Sequence, residues 1–273
     1  MIAVGVGVFG SLIGSFLNVV IFRVPAGRSI VSPPSACGSC GARVRPLDNL
    51  PILSWLLLRG RCRDCRAPIS ARYPLVELGT ALFFAAVALV VLANPVSEAI
   101  GLSAVAATVV ALVAFLYFAA ISVALTLIDL DTRRLPNSIV LPAYPIAGAL
   151  LTAAALAAGA PERLLTMAIG SFGLFAAYFA MASLYRGGMG FGDVKLAGVI
   201  GLYLGWFGWG PLAVGAFAAF LLGGLFSLVL VATRGATGRT AIPFGPWMIA
   251  GAWVGIFAGE QIATAYLALF GLV

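Results

Sequence analysis

The chain has 273 residues, 62% of them hydrophobic and only 9% charged, with a formal net charge of +7 and no histidine. A soluble domain carries about 25% charged residues, so the composition points away from a soluble all-α protein and towards a membrane one. The missing histidine excludes Ser-His-Asp and Cys-His catalysis and HExxH zinc hydrolysis, which leaves carboxylates, Lys, Tyr or Cys as general acids and bases.

Apolar runs long enough to cross a bilayer recur along the chain. Eight are read, at about 2–22, 75–93, 102–128, 138–158, 164–184, 193–209, 211–232 and 247–271. The expected fold is all-α and polytopic, with about eight transmembrane helices and a small zinc-binding cytosolic loop, because a backbone in lipid must bond within its own segment. The expected division is a first transmembrane helix at 1–22, a four-cysteine loop at 23–74 and a seven-helix membrane bundle at 75–273. The sixth run is short, and its glycine-rich start is expected to lie partly in the membrane.

The first run has no basic residue ahead of it, unlike a cleavable signal peptide. It reads as a retained helix with its N-terminus outside the cytosol. The cytosolic segments are then 23–74, 129–137, 185–192 and 233–246. Together with Lys195 they hold 15 of the 16 Lys and Arg, and only Arg163 falls on the other side. That bias is the positive-inside pattern, so the net charge is read as topology and no nucleic-acid partner is expected. Anionic membrane lipids are the expected neighbours of the basic segments. Trp206 and Trp209 fit the outer interface, and Tyr185 and Trp247 the inner one. Small residues repeat every fourth position at Ala197, Gly201 and Gly205, and again at Gly215, Ala219 and Gly223, a spacing that lets helix backbones approach.

All four cysteines lie in the one sizeable polar segment, as Cys37-Gly-Ser-Cys40 and Cys62-Arg-Asp-Cys65. Two such knuckles suit a tetrahedral Zn²⁺ held by four thiolates. A site closed by four ligands is expected to be structural, and Arg43, Arg45, Arg61, Arg63 and Arg66 are expected to offset its negative charge. Two disulfides are one alternative, disfavoured on a reducing cytosolic side, and a redox CxxC is a weaker one.

Ionisable residues inside apolar spans are functional candidates. Glu98 and Glu162 fall in external loops, and Glu260 sits near the outer end of the last run. Glu77 opens the second run and is read either as a substrate contact or as a partner for an Arg. Asp129 and Asp193 differ from these, since both fall at cytosolic helix ends. Asp193 follows Gly187, Gly188, Gly190 and Gly192, whose backbone admits unusual dihedrals and close approach by a substrate strand. Pro136 limits helix continuation after Asp129. Two adjacent carboxylates share one proton, which supplies an acid and a base without histidine. The residues alone leave three readings open: peptide hydrolysis, a proton or cation pathway, and a scaffold carrying a zinc knuckle. A plainer reading pairs Asp129 with Arg133 or Arg134, and Asp193 with Lys195.

The motifs together resemble the type IV prepilin peptidases, which are GxGD aspartyl proteases. The resemblance rests on Gly14 to Val19, Arg23-Val24-Pro25, both cysteine knuckles, Pro68 to Glu77, Ile128 to Asp131, Leu135-Pro136-Asn137, Gly190 to Leu196, and Ile242 to Pro246. It implies an intramembrane endopeptidase of the bacterial inner membrane, multi-pass, with a periplasmic N-terminus and a cytosolic cysteine loop. Its substrates would be prepilins and pseudopilins of type IV pili and type II secretion, cut after a glycine at the cytosolic face. It implies that Asp129 and Asp193 are catalytic, with Asp131 the poorer candidate for the first aspartate; the substrate contacts then expected from the residues themselves are Gly190, Gly192 and Glu77. It further implies N-methylation of the new N-terminus with S-adenosylmethionine, whose residues no fingerprint in this sequence identifies.

Overall fold

The computed structural model describes residues 1–94, 101–184, 189–234 and 243–272. Glu98, Tyr185, Gly187, Gly188 and Ile242, singled out above, lie outside them. The described residues are helical with no strand ladder; two isolated bridges, Ala36 with Arg43 and Arg61 with Pro68, occur in the cysteine loop. The helices are α1 (Ile2–Arg23), α2 (Leu53–Leu57), α3 (Arg72–Ala93), α4 (Leu102–Thr132), α5 (Asn137–Ala157), α6 (Glu162–Leu184), α7 (Phe191–Gly205), α8 (Trp209–Arg234) and α9 (Gly245–Ala268). Seven of them are long and apolar enough to cross a membrane. The eight apolar runs all appear as helices, but α7 has only 15 residues. At 1.5 Å per residue it spans about 22 Å, less than the ~30 Å of a hydrocarbon core.

The chain forms two compact units, Met1–Asn94 with Phe115–Ile128, and Pro95–Ala114 with Asp129–Val273. In the first, α1 packs along α3. Gly7, Gly10 and Gly14 line that contact: a Cβ on Gly10 would lie 2.8 Å from Phe84 Cβ, and one on Gly14 would lie 2.7 Å from Glu77 Cα. The cysteine loop joins the two helices and builds a small core of its own. Gly60 takes φ +66° under the Trp55 ring, whose Nε1 donates to Ile69 O at 3.0 Å.

In the second unit α7 is the hub, in contact with α5, α6, α8 and α9. Its residues Val194, Leu196 to Gly201 and Tyr203 to Gly205 are buried. This explains its length, since a helix walled by other helices need not reach both faces of the bilayer. The small-residue repeats do what their spacing suggests. A Cβ on Gly170 of α6 would lie 2.6 Å from Gly201 O, and one on Gly255 of α9 would lie 2.9 Å from Gly215 Cα. Trp209 is 56% exposed, whereas Trp206 is only 3% exposed. Arg163 explains the difference: its guanidinium lies 4.7 Å from the Trp206 ring centre. Arg163, the basic residue expected on the outer side, is thus held by a cation–π contact.

Candidate functional site

The site is built where four helix ends of the second unit meet. Helix α4 runs one turn past the apolar stretch and stops at Arg133, which takes the left-handed conformation at φ 53°. Asp129 therefore lies inside the last turn of the helix rather than beyond it. It is 5% exposed. Its Oδ2 accepts from the backbone N–H of Gly245 at 3.1 Å. Gly245 is the first residue of α9, so that N–H is one a helix leaves without an internal partner, and the helix N-terminus favours a carboxylate. Asp131 and Leu130 point outward and are exposed.

Asp193 occupies the third position of α7 and is half-buried. Its Oδ2 accepts from Gly190 N–H at 3.2 Å, which ties the glycine-rich approach to the helix. Leu135 fastens the two halves together. Its side chain lies against both glycines: a Cβ on Gly192 would come 3.0 Å from Leu135 Cβ, and one on Gly245 would come 3.3 Å from Leu135 Cδ2. The two carboxylates are near enough that the charge of Asp129 acts on Asp193. Tyr178, buried on α6, also feels the charge of Asp193. Its ring packs on Phe220 and on Phe244, with ring centres 5.5 and 6.3 Å apart.

The plainer pairings are not found among the described residues. Lys195 Nζ donates to Asn137 Oδ1 at 2.9 Å and lies 4.8 Å from the Phe191 ring centre, and no ion pair joins it to Asp193. Arg133 meets Asp129 only through their backbones. Glu77 belongs to the other unit. Its Oε2 accepts from Ile52 N–H at 2.7 Å, with the Ser15 hydroxyl a second hydrogen-bonding neighbour. Ile52 sits at φ 62°, a strained position for a β-branched residue. Glu77 thus holds a strained turn of the cysteine loop, a role that neither expected reading gave it.

The four cysteine sulfurs lie within 4.8 Å of one another, with Cys37 and Cys65 Sγ 3.8 Å apart. A tetrahedral ion with sulfur bonds of about 2.3 Å sets sulfurs about 3.8 Å apart, so the set fits a metal ion. The knuckles match one another. Cys37 N–H donates to Ala42 O at 2.9 Å and Cys62 N–H to Ala67 O at 2.8 Å. Gly41 and Arg66 follow the second cysteine of each, at φ 72° and 60°. The backbone N–H groups of Cys40 and then Ser39 pull the Cys37 thiol down to about 6. At Cys65 the Ala67 N–H lowers the pKa, but the Cys40 thiol, desolvation and the other two thiols push it up to about 12. Four crowded sulfurs ionise together only around a cation. Two of the five arginines expected to offset that charge are engaged elsewhere. Arg45 pairs with Asp64 at 2.8 Å, and Arg63 with Asp48 at 2.5 Å. These bridges lace the loop together.

Sequence reasoning missed Gly245 as a site residue. The available signal was Phe244-Gly245-Pro246, a glycine followed by a proline where a helix starts.

Taken together, the fold and site define a polytopic helical membrane protein with a carboxylate pair at one end of a helix bundle and a loop whose four clustered cysteines could hold a metal ion. The family described as Bacterial Peptidase A24 N-terminal domain matches residues 8–91, and the Type IV leader peptidase family matches residues 115–228. The sequence is 35% identical over 294 residues to the prepilin leader peptidase/N-methyltransferase of Aeromonas hydrophila, covering 96% of this chain and 92% of that protein. It is 34% identical over 288 residues to the protein of that name from Pseudomonas putida, covering 97% and 93%, and 33% identical over 287 residues to that of Pseudomonas aeruginosa, covering 96% and 92%. The chain belongs to the type IV leader peptidase family. No solved structure matches it.

Proposed function

We propose that Asp129 and Asp193 are the catalytic pair of a prepilin leader peptidase that also N-methylates the new N-terminus. The observation that carries the site assignment is the seating of both carboxylates on helix N-termini at one end of one unit, with Leu135 packed between their glycine neighbours. The pair shares one proton. The ionised member takes a proton from water as the water attacks the scissile carbonyl. The protonated member donates a hydrogen bond to that carbonyl and later passes its proton to the leaving amine. Gly190, exposed on the approach to Asp193, lets the substrate backbone come close, and Gly192, packed under Leu135, lets the turn at Leu135 approach α7. Asp131, exposed on the far side of the turn, is left out of the reaction.

The prepilin leader is basic and the segment after it apolar, so the scissile bond lies where charged loops meet apolar helices. That is where Asp129 and Asp193 stand if the N-terminus is outside and the arginine-rich loop cytosolic, in the bacterial inner membrane. Cys37, Cys40, Cys62 and Cys65 hold one structural Zn²⁺, which fixes a loop too small to stabilise itself by burial. S-adenosylmethionine supplies the methyl group for the second activity, and no residue of this chain is assigned to it.

The test is mass spectrometry of a prepilin incubated with membranes carrying the protein, with and without S-adenosylmethionine. The expected product lacks the leader and gains one methyl only when the donor is present. Intact prepilin across several pilin and pseudopilin substrates would overturn the assignment.

A further inference from the structure

Lys195 has no counter-ion among the described residues, and it stands at the head of an apolar groove. The groove has a volume of about 480 Å³ and lies between α5 and α6 over the flank of α7. Leu141, Phe172, Phe175 and Leu202 form its walls. It opens to the outside of the bundle, where Phe172 is 75% exposed. Leu202 lies seven residues beyond Lys195 on α7, so the groove descends about 10 Å along the bundle axis.

The ammonium is fixed at the upper end of that groove. Asn137 Oδ1 takes one of its protons at 2.9 Å and the Phe191 ring faces it at 4.8 Å. A lysine ammonium has three donors, so donors remain free for a ligand. Asn137 is the first residue of a membrane-length helix, which sets Lys195 level with the end of that helix, where lipid headgroups lie.

We propose that this groove is a binding site for one anionic phospholipid, its phosphate on Lys195 and an acyl chain running down past Phe175 and Phe172 to Leu202. The charge at one end, the apolar walls and the direction along the bundle match a lipid molecule standing in its leaflet. The proposal does not depend on the peptidase assignment.

The test uses the full chain in nanodiscs of phosphatidylglycerol diluted in phosphatidylcholine, followed by extraction into detergent and native mass spectrometry of the retained lipid. The wild type is expected to keep one phosphatidylglycerol per chain, preferred over phosphatidylcholine by about fivefold, which is the worth of one Lys at an anionic surface. Lys195→Gln should lose that preference and Lys195→Arg should keep it, with thermal melting showing that each is folded. Ala168→Trp, which fills the lower groove, should reduce retention of both lipids. A photo-crosslinking residue at Phe172 should capture phospholipid. The proposal is overturned if the wild type does not discriminate between the lipids, or if Lys195→Gln retains phosphatidylglycerol as well as the wild type. It is also overturned if the crosslinker captures added prepilin in place of lipid, which would make the groove a substrate channel.

Discussion

Gly245→Ala isolates the geometry of the carboxylate pair from its chemistry. A Cβ at Gly245 would lie 2.7 Å from Asp129 Oδ2, about 0.7 Å short of ordinary contact. The backbone at Gly245 lies outside the positive-φ region, so alanine brings no backbone strain. The carboxylate or the start of α9 must shift, and the hydrogen bond from Gly245 N–H to Asp129 is lost or stretched. A hydrogen bond to a charged group contributes about 1.5–3 kcal/mol, and a misplacement near 1 Å lowers a rate by up to about 100-fold. Prepilin cleavage should therefore fall by about 10- to 100-fold, with the thermal midpoint of the bundle little changed. Gly148→Ala is the control. No atom lies within 4 Å of its Cβ position, and alanine within a helix is favoured over glycine by about 0.5–1 kcal/mol. It should leave cleavage intact. Wild-type cleavage by a folded Gly245→Ala protein would refute the claim that Gly245 N–H holds the catalytic carboxylate.

Other predictions concern the cysteine loop and the contact of Arg163 with Trp206. Purified protein should carry one zinc per chain by elemental analysis, and Cys62→Ser should lose it and leave the remaining thiols open to alkylation. Arg66→Gly should slow metal loss to a chelator, because it removes a left-handed penalty of about 1 kcal/mol; Gly41→Ala should hasten it. The Arg63 guanidinium holds the Asp48 carboxyl below its usual value. Its contribution is therefore present above about pH 4 and is lost as pH falls through the lowered value. Asp48→Asn should flatten the acid dependence of amide exchange across Pro46–Asn49. Arg163→Ala should free the Trp206 ring, read as a shift in its fluorescence.

The helices were legible because membrane spans are written locally, as unbroken apolar runs with basic flanks. The cysteine cluster was legible for the same reason, since each CxxC turns on its own few residues and only the meeting of the two knuckles is non-local. The site was half legible. Asp129 and Asp193 stand out as carboxylates at the ends of apolar runs, but the donor to Asp129 comes from Gly245, 116 positions away. The tight α1 contact through Gly7, Gly10 and Gly14 escaped notice because the surface they meet, Glu77, Thr80, Ala81, Phe84 and Ala85, lies on a helix about 70 positions away. The burial of Trp206 was not legible, because nothing local to it announces the Arg163 guanidinium that packs on its ring. The turn at Ile52 and its tie to Glu77 have no local signature, since nothing about isoleucine suggests positive φ.

Asparagine substitution at each acidic position near the turn tests the central claim most directly, because it keeps size and removes the carboxylate. Prepilin cleavage should be abolished by Asp129→Asn and by Asp193→Asn, and should persist with Asp131→Asn, each read by mass spectrometry on membranes holding equal amounts of protein. Cleavage that survives both Asp129→Asn and Asp193→Asn, or that is lost only with Asp131→Asn, would contradict the account.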